Sequence, residues 1–360
     1  MFLVTAVVAT VAVVAFLMSR GGEREQPVDE LPPDGGKGGL TAIQKGSSGK
    51  GAQDGAKPGG GVEVNARTLL GGKVTLELEP EEVDRVLDVV GRSQENLVAA
   101  QALLDDYSYL EEAAAEHPDD PEVQFWVLSQ RVLPGERAAW IERFKESEPD
   151  NALASYLAAE HAFRQDDIEA GIEELRSATE KGYRDYSDSL QEQVENLYTA
   201  SGKFDRESVR HASAKFVAMP HVEQIQSLSQ RIIQQHQKLV EEGEADSAAE
   251  LVSLGMSMLE TVVGNSGADV IDTRTTLLMM QENLQRAAGD SSGKLQALAE
   301  ERARLGYLNH QVREIFGRED QLDPAQLDSY AERLHEMGEV GAAEWLVEQV
   351  GEVDLSDRSE

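Results

Sequence analysis

The chain has 360 residues, with 67 acidic and 33 basic side chains and a formal charge of −34. It contains no cysteine, which excludes disulfides, thiolate zinc sites, cysteine-held iron–sulfur clusters and cysteine nucleophiles. Residues 1–61 carry six basic and six acidic groups, so the whole excess of negative charge falls in 62–360. A field of that sign repels nucleic acid and anionic lipid headgroups, so no nucleic-acid partner is expected. The acidic surface reads as a solvated, solubilising face, with a basic partner or a cation as the alternative.

Phe2–Met18 carries no charge and only two polar residues, Thr5 and Thr10. At about 1.5 Å per residue it spans about 25 Å, enough for a bilayer-crossing helix. A cleaved signal peptide is the rival reading. It needs a basic leader and a small-x-small cleavage site, and Phe16-Leu17-Met18-Ser19-Arg20 is a poor one. The expectation is an uncleaved anchor in a single-pass membrane protein of a bacterial inner membrane. Arg20 and Arg24 follow the span and nothing basic precedes it, which places the bulk of the chain in the cytoplasm rather than outside. Residues 19–61 alternate glycine pairs with Lys, Gln, Asp and Pro, and read as a disordered linker.

Residues 62–79 form an extended lead-in, in which Val74-Thr75-Leu76-Glu77-Leu78 alternates as one short strand would. Pro80 then sits at a helix start, with Glu81 and Glu82 in its first turn. From there the apolar spacing is helical almost throughout. Val83, Val86, Leu87 and Val90 make one stripe, and Leu97, Ala100, Leu103 and Leu104 another. Tyr107, Leu110, Ala113 and Ala114 make a third, closed by Pro118.

Two units then repeat. His117-Pro118-Asp119-Asp120-Pro121 and Glu148-Pro149-Asp150-Asn151-Ala152 stand 31 residues apart, each stopping one helix and capping the next. Farther on, Leu239, Gly243, Ala248 and Leu251 recur in the same spacing as Leu334, Gly338, Ala343 and Leu346. The glycine lets a helix end in the left-handed region, and the alanine lets two helices approach closely. Phe163, Asp167, Ile172 and Leu175 follow that frame with larger residues.

On these residues the chain resembles the tetratricopeptide (TPR) family, best over 93–181 and patchily over 186–350. The steps are not constant, and helices near 221–242 and 267–289 are long for that family. The expected fold is therefore all-α: an irregular α-solenoid of helical hairpins, with repeats over 80–220, further hairpins over 221–350 and a disordered tail at 351–360. The resemblance implies a non-catalytic scaffold that holds a protein or peptide in a concave groove, with no cofactor. The groove positions on the first helices are Trp126, Gln130, Tyr156 and Glu160.

Chemistry has few other footholds. The histidines at 117, 161, 211, 221, 236, 310 and 335 show no His-Glu-x-x-His and no close metal pair at ligand spacing. No nucleophile elbow, kinase or Ser-x-x-Lys signature occurs. Asp105-Asp106, Asp119-Asp120 and Asp166-Asp167 fall at turns and helix starts, where acids cap. Trp126, Trp140 and Trp345 lie on apolar stripes, as core residues or as groove-lining anchors. Ile225, Leu228, Ile232 and Leu239 fit a coiled-coil frame, so self-association through the 221–305 helices is the alternative to partner binding. An enzyme site assembled from scattered residues is the remaining one.

Overall fold

The computed structural model describes residues 64–214, 219–265, 270–289, 293–318 and 322–351. The expected membrane span at Phe2–Met18, the linker at 19–61 and the tail beyond Gly351 lie outside the described residues. No helix among the described residues is long and apolar enough to cross a membrane.

Those residues form an all-α fold with no strand. In chain order the helices are α1 (Ala66–Leu70), α2 (Pro80–Val90), α3 (Gln94–Leu104), α4 (Tyr107–Glu116), α5 (Pro121–Ser129) and α6 (Arg137–Ser147). There follow α7 (Ala152–Arg164), α8 (Ile168–Ala178), α9 (Ser187–Ser201), α10 (Arg206–Ala214) and α11 (His221–Glu242). The last four are α12 (Ala245–Asn265), α13 (Ile271–Ala287), α14 (Lys294–Gly317) and α15 (Pro324–Val350). Residues 74–78, where the alternation suggests a short strand, form no regular element and pair with no strand among the described residues. Leu76 and Leu78 are buried instead, and Tyr198 Oη donates to the Leu76 carbonyl at 2.8 Å.

The helix starts follow from side-chain chemistry. Asp120 Oδ1 accepts from the amides of Glu122 and Val123 at 2.9 and 3.0 Å, and Pro121 occupies the first helical position, where a missing N–H costs nothing. Asn151 Oδ1 accepts from the Leu153 amide at 3.1 Å in the same way. The hairpin turns follow from glycine. Gly243 and Gly338 both have positive φ, at 83° and 72°, a region that costs an L side chain strain. Gly338 breaks α15 into two arms. Ala248 and Ala343 are buried, and so are Leu251 and Leu346.

The third frame is shifted by one residue from the sequence reading. Its left-handed residue is Asp166, so Gly171 rather than Ile172 takes the place of close approach. A Cβ on Gly171 would stand 2.7 Å from the Phe163 ring, whereas Ile172 is half-buried.

Order in space departs from order in the chain. α3 packs on α4, α5 on α6 and α7 on α8, as successive hairpins. The next hairpin to stack there is α11–α12, with α11 against α7 and α12 against α8. The intervening α9 folds back onto α2 and α3, and α10 packs against α1 and α15. One hydrophobic cluster therefore runs from Leu69 to Leu284, and the expected segment boundary at 220/221 falls inside it. Ile225, Leu228, Ile232 and Leu239 of the coiled-coil frame are buried within this chain. Two smaller clusters hold α13, α14 and α15 together.

Candidate functional site

The first helices of the repeats, α3, α5 and α7, would line a groove in an open stack of hairpins. Here the chain covers that face itself. α9 lies along α3, and α11 lies along α7. At the start of α11, Gln224 Nε2 donates to the Ser129 carbonyl at the end of α5, at 3.2 Å, and Arg131 donates to Gln224 Oε1 at 3.3 Å.

The residues expected to touch a partner are accordingly internal. Trp126 is 0 % exposed, Tyr156 3 % and Glu160 1 %, while Gln130 is half-buried at the end of α5. The reason is volume: a groove lined by large apolar side chains holds water poorly, and two long amphipathic helices of the same chain fill it. Trp140 is core as well, and Trp345 is half-buried under the Arg333 guanidinium, 4.1 Å from the ring centre.

The point where α5, α9 and α11 meet is rich in polar groups. The connector from α8 to α9 docks on Asn151, whose Nδ2 donates to the Arg184 carbonyl at 3.0 Å. This fixes Tyr183, Asp185 and Tyr186. Asp185 Oδ1 accepts from the Ser187 amide at the start of α9, at 3.2 Å, and Oδ2 lies 3.5 Å from His221 Nε2 at the start of α11. Phe125 forms the apolar wall, with ring centres 5.4 Å from Tyr186 and 5.7 Å from His221. Glu122 closes the other side and accepts from Ser189 Oγ at 3.0 Å.

Burial dominates the electrostatics of this junction. It pushes the Glu122 carboxyl up to about 7, with Ser189 opposing and the negative charges of Asp120 and Glu95 adding to the rise. It pushes the His221 imidazole down, with Asp185 opposing. The Tyr183 and Tyr186 phenols are raised by burial and by nearby carboxylates. Asp185 Oδ2, both ring nitrogens of His221 and the Tyr183 phenol oxygen are buried without a hydrogen bond to a described residue. Two of the expected residues border this junction. Trp126 reaches Glu122 from the same helix, and Tyr156 stands close to Tyr183. Gln130 and Glu160 do not join it. Glu160 instead binds Arg137, Arg164 and Ser227.

Asp185, His221 and Glu122 escape sequence reading because they are 36 and 63 residues apart. Only the position of His221 directly after Pro220, at a helix start, marks it in the sequence.

The outward surface is simpler. α8 is tied to α6 by Lys145–Glu174 and to α12 by Arg176–Glu250 at 2.7 Å. They leave Glu142, Glu146, Glu169, Glu173, Asp246 and Glu260 exposed. A recess of about 350 Å³ between α2 and the end of α9 is bridged by Lys203 and Glu82 at 2.6 Å, and Val89 on its rim is 85 % exposed.

Fold and site together define an all-α protein of stacked hairpins with a self-filled inner face. No protein-family model matches the chain, and the searches of curated proteins and of solved structures found no match either.

Proposed function

We propose that this protein is a non-catalytic helical-repeat scaffold of TPR-like, irregular solenoid type, held at a membrane by its N-terminal segment, and that it binds a protein partner. The observation that carries the choice of surface is the filled inner face. With α9 and α11 over the first helices, the second helices α6, α8 and α12 keep an accessible outer surface, and its exposed acids favour a partner with a basic face. The tether raises the local concentration of such a partner at the bilayer. Burial of the coiled-coil frame within the chain argues against self-association through α11.

Photo-crosslinking residues placed at Glu146, Glu173 and Val89 of the full-length chain in cells test this reading. The expected result is one discrete adduct from the ridge positions, weakened by salt, and none from Val89. Equal adducts from all three sites, or none from the ridge, would sink it. Reporter fusions to the C-terminus, one active only inside the cytoplasm and one only outside, test the expected cytoplasmic placement of the helical domain.

A further inference from the structure

We propose that Glu207, His211 and Asp328 form a binding site for a divalent transition-metal ion of the zinc class, joining α15 to α10. Glu207 and His211 stand four residues apart on α10, so they share one face of the helix. This spacing is visible in the sequence and corrects the expectation that no histidine has a carboxylate at ligand spacing. The third donor, Asp328, comes from α15, 117 residues beyond His211. One ligand atom from each of the three residues lies within 4.8 Å of the others. Donors at about 2.0–2.2 Å in tetrahedral array stand roughly 3.4 Å apart, so closure needs only a small swing of a side chain. The mobile member is available: Glu207 is exposed, while His211 is 1 % exposed and held in place.

Charge supports a cation here. Arg210 is the only basic side chain paired to this cluster among the described residues, at 2.7 Å from Asp328 and 3.6 Å from Glu332. Glu207 has no ion pair with a described residue. Glu207, Asp328 and Glu332 against the one guanidinium leave an excess of two negative charges, which a divalent cation balances. Arg210 donates to Asp328 Oδ1, which orients the carboxylate and leaves Oδ2 for a ligand bond, while His211 Nε2, 3.2 Å from Oδ1, turns its lone pair to the ion in the tautomer that carries the proton on Nδ1. An imidazole in the set selects zinc-like ions over magnesium or calcium, which prefer oxygen alone. Three protein ligands leave a fourth position on the exposed side for water. Such an ion would fasten the C-terminal helix to the inserted α9–α10 hairpin.

The test uses the full chain, stripped with a chelator and titrated with Zn²⁺, with Co²⁺ as the spectroscopic probe and Mg²⁺ as the control for general screening of acidic surface. The expected result is one Zn²⁺ per chain, a visible cobalt absorption band and a raised melting temperature that Mg²⁺ does not reproduce. Asp328→Asn and Glu207→Gln should each weaken zinc by about 10-fold or more. Glu207 is exposed, so its variant folds whatever becomes of the buried histidine. Absence of a cobalt band, an equal effect of Mg²⁺, or zinc affinity unchanged in both variants would each overturn the site.

Discussion

The Glu160 carboxylate on α7 accepts a hydrogen bond from Ser227 Oγ on α11 at 3.0 Å, across 67 residues of chain. The same carboxylate meets Arg137 of α6 at 3.4 Å and Arg164 of its own helix, while being 1 % exposed. Three helices are thereby tied by one buried charge. Its removal leaves the mostly buried Arg137 without its partner, although Arg137 also donates to the Leu128 carbonyl at 2.8 Å.

Glu160→Ala is therefore expected to destabilise the fold by about 3–5 kcal/mol, since breaking a buried pair strands the other charge. Chemical denaturation reads this directly. A double variant, Glu160→Leu with Arg137→Met, should recover much of the loss. The exposed pair Arg176–Glu250 provides the contrast: Arg176→Ala should leave the denaturation midpoint almost unchanged. A Glu160→Ala cost as small as that would show that the buried pair does not hold the helices.

Gly171→Ala places a methyl group against the Phe163 ring, at a distance no relaxed contact adopts. The expected cost is about 1–3 kcal/mol from overpacking in the α7–α8 hairpin. Phe163→Leu in the same chain should relieve part of it. Additive losses in the double variant, measured by thermal melting, would contradict the contact.

The Glu122 carboxyl, raised to about 7 against 4.5 for the free group, binds its proton more tightly in the folded chain than in the unfolded one. Its contribution to stability is complete at acid pH and is lost as pH rises through the folded value. Glu122→Gln cannot titrate. Between pH about 5 and about 7 the wild type should lose stability relative to this variant, by on the order of 1 kcal/mol per pH unit. Parallel urea midpoints for the two proteins across that range would refute the assignment. His221, pushed down by burial, works in the opposite sense, its contribution falling as pH drops, and is common to both proteins.

Glu339, just after the break in α15, accepts from the Ile271 amide at 2.9 Å and caps α13, whose own N-cap residue Val270 offers no side-chain oxygen. Glu339→Ala should cost about 1 kcal/mol. Hydrogen exchange in the first turn of α13 should quicken, with little change in α7 or α8. Unchanged exchange there would rule out the cap.

Much of the local structure was legible in the chain. The caps at Asp120 and Asn151, the starts at Pro80 and Pro121, the turns at Gly243 and Gly338 and the long helix at 221–242 all depend on interactions within a few residues. The frame at Phe163 is less legible, because Asp166 rather than a glycine takes the left-handed position there, one residue before Asp167.

What the linear sequence determined by itself was this succession of helical hairpins, since caps, turns and 3.6-residue stripes are short-range properties. The tertiary structure alone decided which hairpins are neighbours. α11–α12 stacks on α7–α8, and α9 returns to α3, so Trp126, Tyr156 and Glu160 became interior. Their stripes look the same whether the covering surface is a partner or the chain's own later helices. Apolar burial carries no directional label, and only the packed chain chose between the two.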